Sequence, residues 1–426
     1  MSESIPVSAL PSIGKALVED ARRRIGRVRM VPVRVLVTKD GRPAPGARVR
    51  LTMKNHAFLF GAVCYHYGRF PTAQMNERFS RLFTPLFNYT MMPVHWDWYE
   101  PKKGEYGEEY IESLLGWAER HGIKRKMHAL LWHECVPEWL TQGMDVKALY
   151  EERVTHLMRR YKGRFDFHDV VNESTVCERF DNPVARWMME YGLVNVAKLG
   201  VSLARAVEPD AKLIYGEWNV HGQAYLDFLR DLRENGVGID CIGIQSHMHR
   251  DVWTGEETLR VMDEAAKFGW PIHFPEVSLC SGRPIGTMAY QRGHNNRFVE
   301  TPEDAAWQAE FARDFYTLVF SHPAVEALSW FDFVDHRWLG APAGVVTDDL
   351  EPKPIYHALT DLLHREWRSD MDASADGDGA AAGRLFFGRY LLEAELDGRK
   401  ASAEVEFARP SFYEGGGEER VVRIGI

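Results

Sequence analysis

Short apolar runs recur along the middle of the chain, and longer stretches of helical periodicity separate them. The runs are FLFGAVC (58–64), LFNYTMMP (86–93), KMHALLWH (126–133), FHDVVNES (167–174), KLIYGEW (212–218), CIGIQSH (241–247), PIHFPEVS (271–278) and ALSWFDFVD (327–335). Between them lie segments such as YIESLLGWAERHG and VNVAKLGVSLARAVEPD, the latter stopped near Pro209. Near-continuous apolar runs mark strands buried on both faces, and alternation with helices calls for a parallel sheet. Eight such units predict an α/β protein with a (β/α)8 barrel over residues 55–367.

The ends of the chain have a different rhythm. Residues 1–30 are expected to form a helical segment, with an amphipathic stretch from about residue 9 to 28. Residues 31–54 alternate apolar and polar about a Gly/Pro turn, the pattern of a β-hairpin. RSDMDASADGDGAAAG, rich in Asp, Ala and Gly, makes 368–383 a flexible linker by composition. Alternation returns over 384–426, and these late strands are expected to join the early hairpin in one small accessory β-sandwich. Neither segment alone has enough strands to bury two faces.

The 13 Trp and 16 Tyr suit stacking on flat apolar faces such as sugar rings. The net charge of −9 without a basic block argues against nucleic acid. No apolar run is long enough for a bilayer, so no membrane partner is expected. The N-terminus lacks the apolar core of a signal peptide. The chain is therefore expected in the cytoplasm, or outside the cell after removal of a signal. Cys64, Cys135, Cys177, Cys241 and Cys280 are far apart and contain no C-x-x-C pair. Neither a disulfide framework nor a metal site is expected from that spacing, and no cofactor is assigned. Oligomeric state is not legible.

In a barrel of this kind the chemistry lies where strands end. The third run ends in His128, Trp132 and His133, and the fourth in Asn172 and Glu173. The sixth ends in Gln245, His247 and His249, the seventh carries Glu276, and the eighth Trp330. A buried carboxylate needs a partner or a chemical task. Two carboxylates ringed by amide, imidazole and indole match glycoside hydrolysis, in which one donates a proton and the other attacks or assists at the anomeric carbon. A carbohydrate-binding barrel and a metal-dependent hydrolase are the alternatives. The first has no need of both acids, and the second lacks a third ligand beside His247 and His249.

The motifs HALLWHECVPEWL, DVVNES, CIGIQSHMH and PIHFPEVS resemble glycoside hydrolase family 10, the retaining endo-β-1,4-xylanases. AVEPDAKLIYGEWN, WDWYEPKKGEY and PKPIYHAL are similar to further stretches of that family, in the same order from about Phe58 to Leu363. The resemblance implies a TIM barrel, a polysaccharide or oligosaccharide substrate such as xylan, and catalysis by double displacement. It implies Glu173 as acid/base and Glu276 as nucleophile. Asn172 would bind the sugar 2-hydroxyl, His247 the nucleophile, and His128 and Trp132 the attacked sugar. Trp330 and Trp338 would be the aromatic floor and wall, and His133, His95 and Gln245 would complete the substrate-binding set. The sequence departs from the family pattern before Trp96, where Met91, Met92 and His95 replace Glu, Asn and Lys. It departs again at Cys135, which replaces Gln, and at Phe331, which replaces Gly.

Overall fold

The computed structural model describes residues 11–249, 251–290 and 295–426. Eight parallel strands close into a barrel: Leu59–Val63, Tyr89–Pro93, Lys124–His128, Phe167–Asn172, Leu213–Glu217, Cys241–Ile244, Ile272–Leu279 and Val325–Trp330. Ile242 pairs with Ile272, and Ala327 pairs back to Leu59, which leaves no free edge. The strands read as unbroken apolar runs because both faces are covered; Tyr89–Pro93, Leu213–Glu217 and Ile272–Leu279 are buried throughout. The sixth strand breaks at Gln245 and resumes as Ser246–Met248, which pairs with the seventh.

The early and late segments build two four-stranded sheets beside the barrel. One centres on Met30–Lys39, flanked by Ala380–Phe386 and Arg420–Gly425. The other runs from Met371–Ser374 through Arg48–His56 and Gly388–Leu396 to Arg399–Phe407. Val31, Val33, Val35 and Val37 alternate inward in the first sheet, as do Val49, Leu51 and Met53 in the second. All join the same apolar core as the barrel.

Three expectations are corrected. The stretch 31–54 is not one hairpin. Asp40 and Gly41, with φ of 51° and 75°, do make a tight turn, but only Thr38–Pro43 and Lys39–Arg42 pair across it. Pro45 and Gly46 then redirect the chain, and Arg48–His56 crosses to the other sheet. The stretch 368–383 is not a loose linker, because Met371–Ser374 pairs with Arg48–Leu51 and Ala380 pairs with Leu36. Its Asp/Gly content makes a turn instead: the Asp376 side chain accepts from the Asp378 and Ala380 amides. Finally, the first helix covers Lys15–Val28, and residues 9–10 lie outside the described residues. Pro11 to Gly14 form no helix and pack on the barrel, with the Trp307 indole donating to the Pro11 carbonyl at 3.0 Å.

Candidate active site

Asn172 ends the fourth strand, and Glu173 follows it with φ 62°, ψ 38°. A left-handed conformation is costly for a residue with a Cβ, on the order of 1–3 kcal/mol, and persists where surrounding contacts enforce it. Here the Glu173 amide donates to the Gly216 carbonyl at 2.8 Å and the Asn172 amide donates to Leu131 at 3.0 Å. Gly216 leaves the space Asn172 fills, since a Cβ there would lie 2.6 Å from Asn172 Oδ1.

Three side chains converge on the Glu173 carboxyl. Asn172 Nδ2 and Gln245 Nε2 each donate to Oε1 at 3.0 Å, and Trp132 Nε1 donates to Oε2 at 3.0 Å. Gln245 Nε2 also reaches Asn172 Oδ1 at 3.2 Å. Glu276, in the middle of the seventh strand, has Oε2 at 3.1 Å from His247 Nε2. Both carboxyls are buried to the same degree, each 5% exposed.

Their charge states nevertheless diverge. Burial, then the negative charges of Glu217, Glu276 and Glu134, push Glu173 well above the usual carboxylate range, and the Gln245 hydrogen bond only partly opposes this. Burial would also raise Glu276. The hydrogen bond from His247 and the charges of His128, His247 and Lys126 outweigh it, so Glu276 lies below its ordinary value. One carboxyl keeps its proton while the other loses it, the condition for an acid and a nucleophile to share one cleft.

Beneath them lies a support that the sequence reading missed. Lys126 Nζ and His128 Nδ1 both meet Asp169 Oδ2 at 2.6 Å, and all three side chains are at most 2% exposed. Burial alone would raise the Asp169 pKa, but Lys126 and His128 hold it below the ordinary value. Glu217 was also missed. It ends the fifth strand fully buried and accepts from the Thr175 amide and hydroxyl, the Tyr215 hydroxyl, and the Trp218 and Asn219 amides. Its place after the apolar run LIYG was the available signal.

Two expected site residues are not brought to the carboxylates. Trp330 is 0% exposed and donates its indole N–H to the Ala343 carbonyl at 2.7 Å, so it is core and not an aromatic floor. Its ring lies 6.3 Å from Tyr316 of the helix Pro302–Phe320, and the next residue, Phe331, takes the cleft position. The Phe331 ring lies 4.9 Å from His247 and 5.1 Å from Trp338. His133 is buried with its ring 4.9 Å from Phe180 and its pKa pushed down to about 4 by burial. No contact among the described residues ties it to the pair. Trp338 lies against both His247 and His249 at 4.5 Å. His95 sits 5.4 Å from both His128 and Trp132, and Met91 and Met92 are fully buried. Trp98 and Trp218, 43% and 37% exposed, are further aromatics near these strand ends.

Residues 51–362 match the family described as glycosyl hydrolase family 10. The anti-sigma-I factor RsgI6 of Acetivibrio thermocellus is 23% identical over 92% of this chain and 48% of its own length. Endo-1,4-beta-xylanase 2 of Arabidopsis thaliana is 25% identical over 82% of this chain and 31% of its own. The chain thus spans about half or less of these two relatives. Xylanase 10B of Thermotoga petrophila, crystallised with xylobiose, superposes with a TM-score of 0.60 at 22% identity, over 73% of this chain and 95% of that one. That likeness is one of fold.

Proposed function

Because this chain belongs to glycosyl hydrolase family 10, we propose that it hydrolyses β-1,4-linked glycans of the xylan class with retention of anomeric configuration. The observation that carries this reading is the pair of buried carboxyls, Glu173 held by Asn172, Gln245 and Trp132 and Glu276 held by His247, with pKa values displaced in opposite directions. Glu276, ionised, attacks the anomeric carbon, and Glu173, protonated, delivers its proton to the departing glycosidic oxygen. A covalent glycosyl ester on Glu276 results, and one of the negative charges that raise Glu173 is removed. Glu173 then ionises and takes a proton from the water that hydrolyses the ester. His247 orients the nucleophile, Asn172 meets the 2-hydroxyl, and His128 and Trp132 line the attacked sugar. Gln245 and Trp132 aim the acid, while Phe331 and Trp338 form the aromatic wall.

The fully buried Met91 and Met92 offer no donors to a sugar, so the glycone end differs from a site built for unbranched xylan. A decorated or different β-1,4-glycan is the reading these two residues favour. The test is the anomeric configuration of the first-formed product by NMR on a panel of β-glycans. A retained product, no turnover by Glu276→Ala, and a β-glycosyl azide from Glu173→Ala with added azide are expected. An inverted product would overturn the assignment.

A further inference from the structure

His95, Asp97 and Cys135 come from two separate loops, yet one ligand atom of each lies within 4.8 Å of the other two. His95 and Asp97 flank Trp96 at the start of the short helix Trp96–Tyr99 that follows the second barrel strand. Cys135 follows the third strand, its amide donating to the Trp132 carbonyl at 3.3 Å. His95 and Cys135 are buried, and Asp97 is half-buried. Two of the positions at which the sequence departs from its family pattern, His95 and Cys135, thus meet at one point in space, and the third member is a carboxylate.

The donor types select the ion. A thiolate with an imidazole and a carboxylate is a set for a borderline ion, whereas calcium and magnesium call for oxygen ligands alone. Three protein ligands around zinc leave a fourth tetrahedral position open. Bonds of about 2.0–2.3 Å put tetrahedral zinc ligands about 3.3–3.6 Å apart, so side-chain rotation must draw the three atoms in by little more than an ångström.

We propose that His95, Asp97 and Cys135 form a zinc-binding site at the glycone end of the cleft, with its fourth position open to water or a sugar hydroxyl. The ion would tie the loop after the second strand to the loop after the third, one ring away from Trp132. The Trp132 indole holds Glu173 at 3.0 Å. Binding deprotonates the thiol and so releases a proton.

The test uses the untagged full chain, stripped with a chelator and then given zinc or cobalt(II) at neutral pH and desalted. About one equivalent of zinc should be retained, and the cobalt form should show a thiolate-to-cobalt charge-transfer band in the near ultraviolet. Cys135→Ser should abolish that band and weaken retention at least tenfold. His95→Gln should weaken retention similarly, with circular dichroism showing each variant folded. Cys280→Ser, at a buried thiol elsewhere, should leave both signals intact. Failure of the unaltered chain to retain metal, or undiminished retention by a folded Cys135→Ser, would overturn the proposal. Metal content is read without any glycan, so this outcome is independent of the hydrolase reading.

Discussion

Ser278 and His247 meet at 3.0 Å between Oγ and Nδ1, on the side of the imidazole facing away from Glu276. The same hydroxyl lies 2.9 Å from His249 Nδ1. Glu276 is ionised and can only accept, so His247 Nε2 donates to it. The Ser278 hydroxyl can both donate one proton and accept, so it bridges the two Nδ1 atoms and fixes both rings. Burial, followed by the charge of His247, keeps the His249 pKa well below its ordinary value.

Ser278→Ala is accordingly expected to loosen His247 and reduce kcat/KM by about 2- to 13-fold, the equivalent of about 0.5–1.5 kcal/mol for one hydrogen bond. KM should move less than kcat. Because the His247 contact holds the Glu276 pKa down, loosening it raises that pKa, and the acidic limb of the pH profile should shift upward. Ser278→Thr, which keeps the hydroxyl, should restore most of the rate. An unchanged acidic limb in Ser278→Ala would show that the serine only fills space.

Glu217 contributes to the raised pKa of Glu173 through its charge. In Glu217→Gln that charge is gone, so the Glu173 pKa falls and the basic limb of kcat/KM moves to lower pH. Glu217 also accepts from five donors, which one amide oxygen cannot serve. Stability should fall by about 1–3 kcal/mol or more for the buried donors left unmatched. Urea unfolding alongside the pH profile checks both, and a basic limb that stays in place would remove Glu217 from the account of Glu173.

Asp169→Asn leaves Lys126 buried without its counter-charge, an effect of about 3–5 kcal/mol in comparable buried pairs. The sign with pH follows from the lowered pKa of Asp169. Its contribution is fully present above the unfolded value of about 3.9 and is lost as pH falls through the lower folded value. The gap between wild type and variant in denaturant unfolding should therefore be wide at neutral pH and narrow towards pH 3. A gap that is constant over this range would contradict it.

Gly379 has φ 71°, and a Cβ there would lie 2.6 Å from the Val37 carbonyl oxygen. Gly379→Ala should destabilise the chain by more than about 1 kcal/mol and expose the 375–380 turn to proteolysis. If the Ala variant resists cleavage as well as wild type, residues 368–383 are not held as this turn requires.

The sequence by itself determined the barrel. Runs of apolar residues buried on both faces, spaced by amphipathic helices, leave few other ways to hide so much apolar surface. It also determined the neighbourhood of Asn172, Glu173, Gln245, His247 and Glu276, because polar groups ending such strands have only the cleft to face. The Asp40–Gly41 turn was equally local, its left-handed angles being written in the residue types. What tertiary structure alone decided depends on register and distance. Arg48–His56 pairs with Gly388–Leu396 and not with the strand just before it, because alternation specifies a buried face but not which edge it joins. Lys126, His128 and Asp169 meet because neighbouring strands pair Met127 with His168, a relation no spacing within one strand contains. Trp330 and Phe331 exchange inside and outside for the same reason: side chains alternate along a strand, and one residue of phase at its end decides which ring faces the cleft.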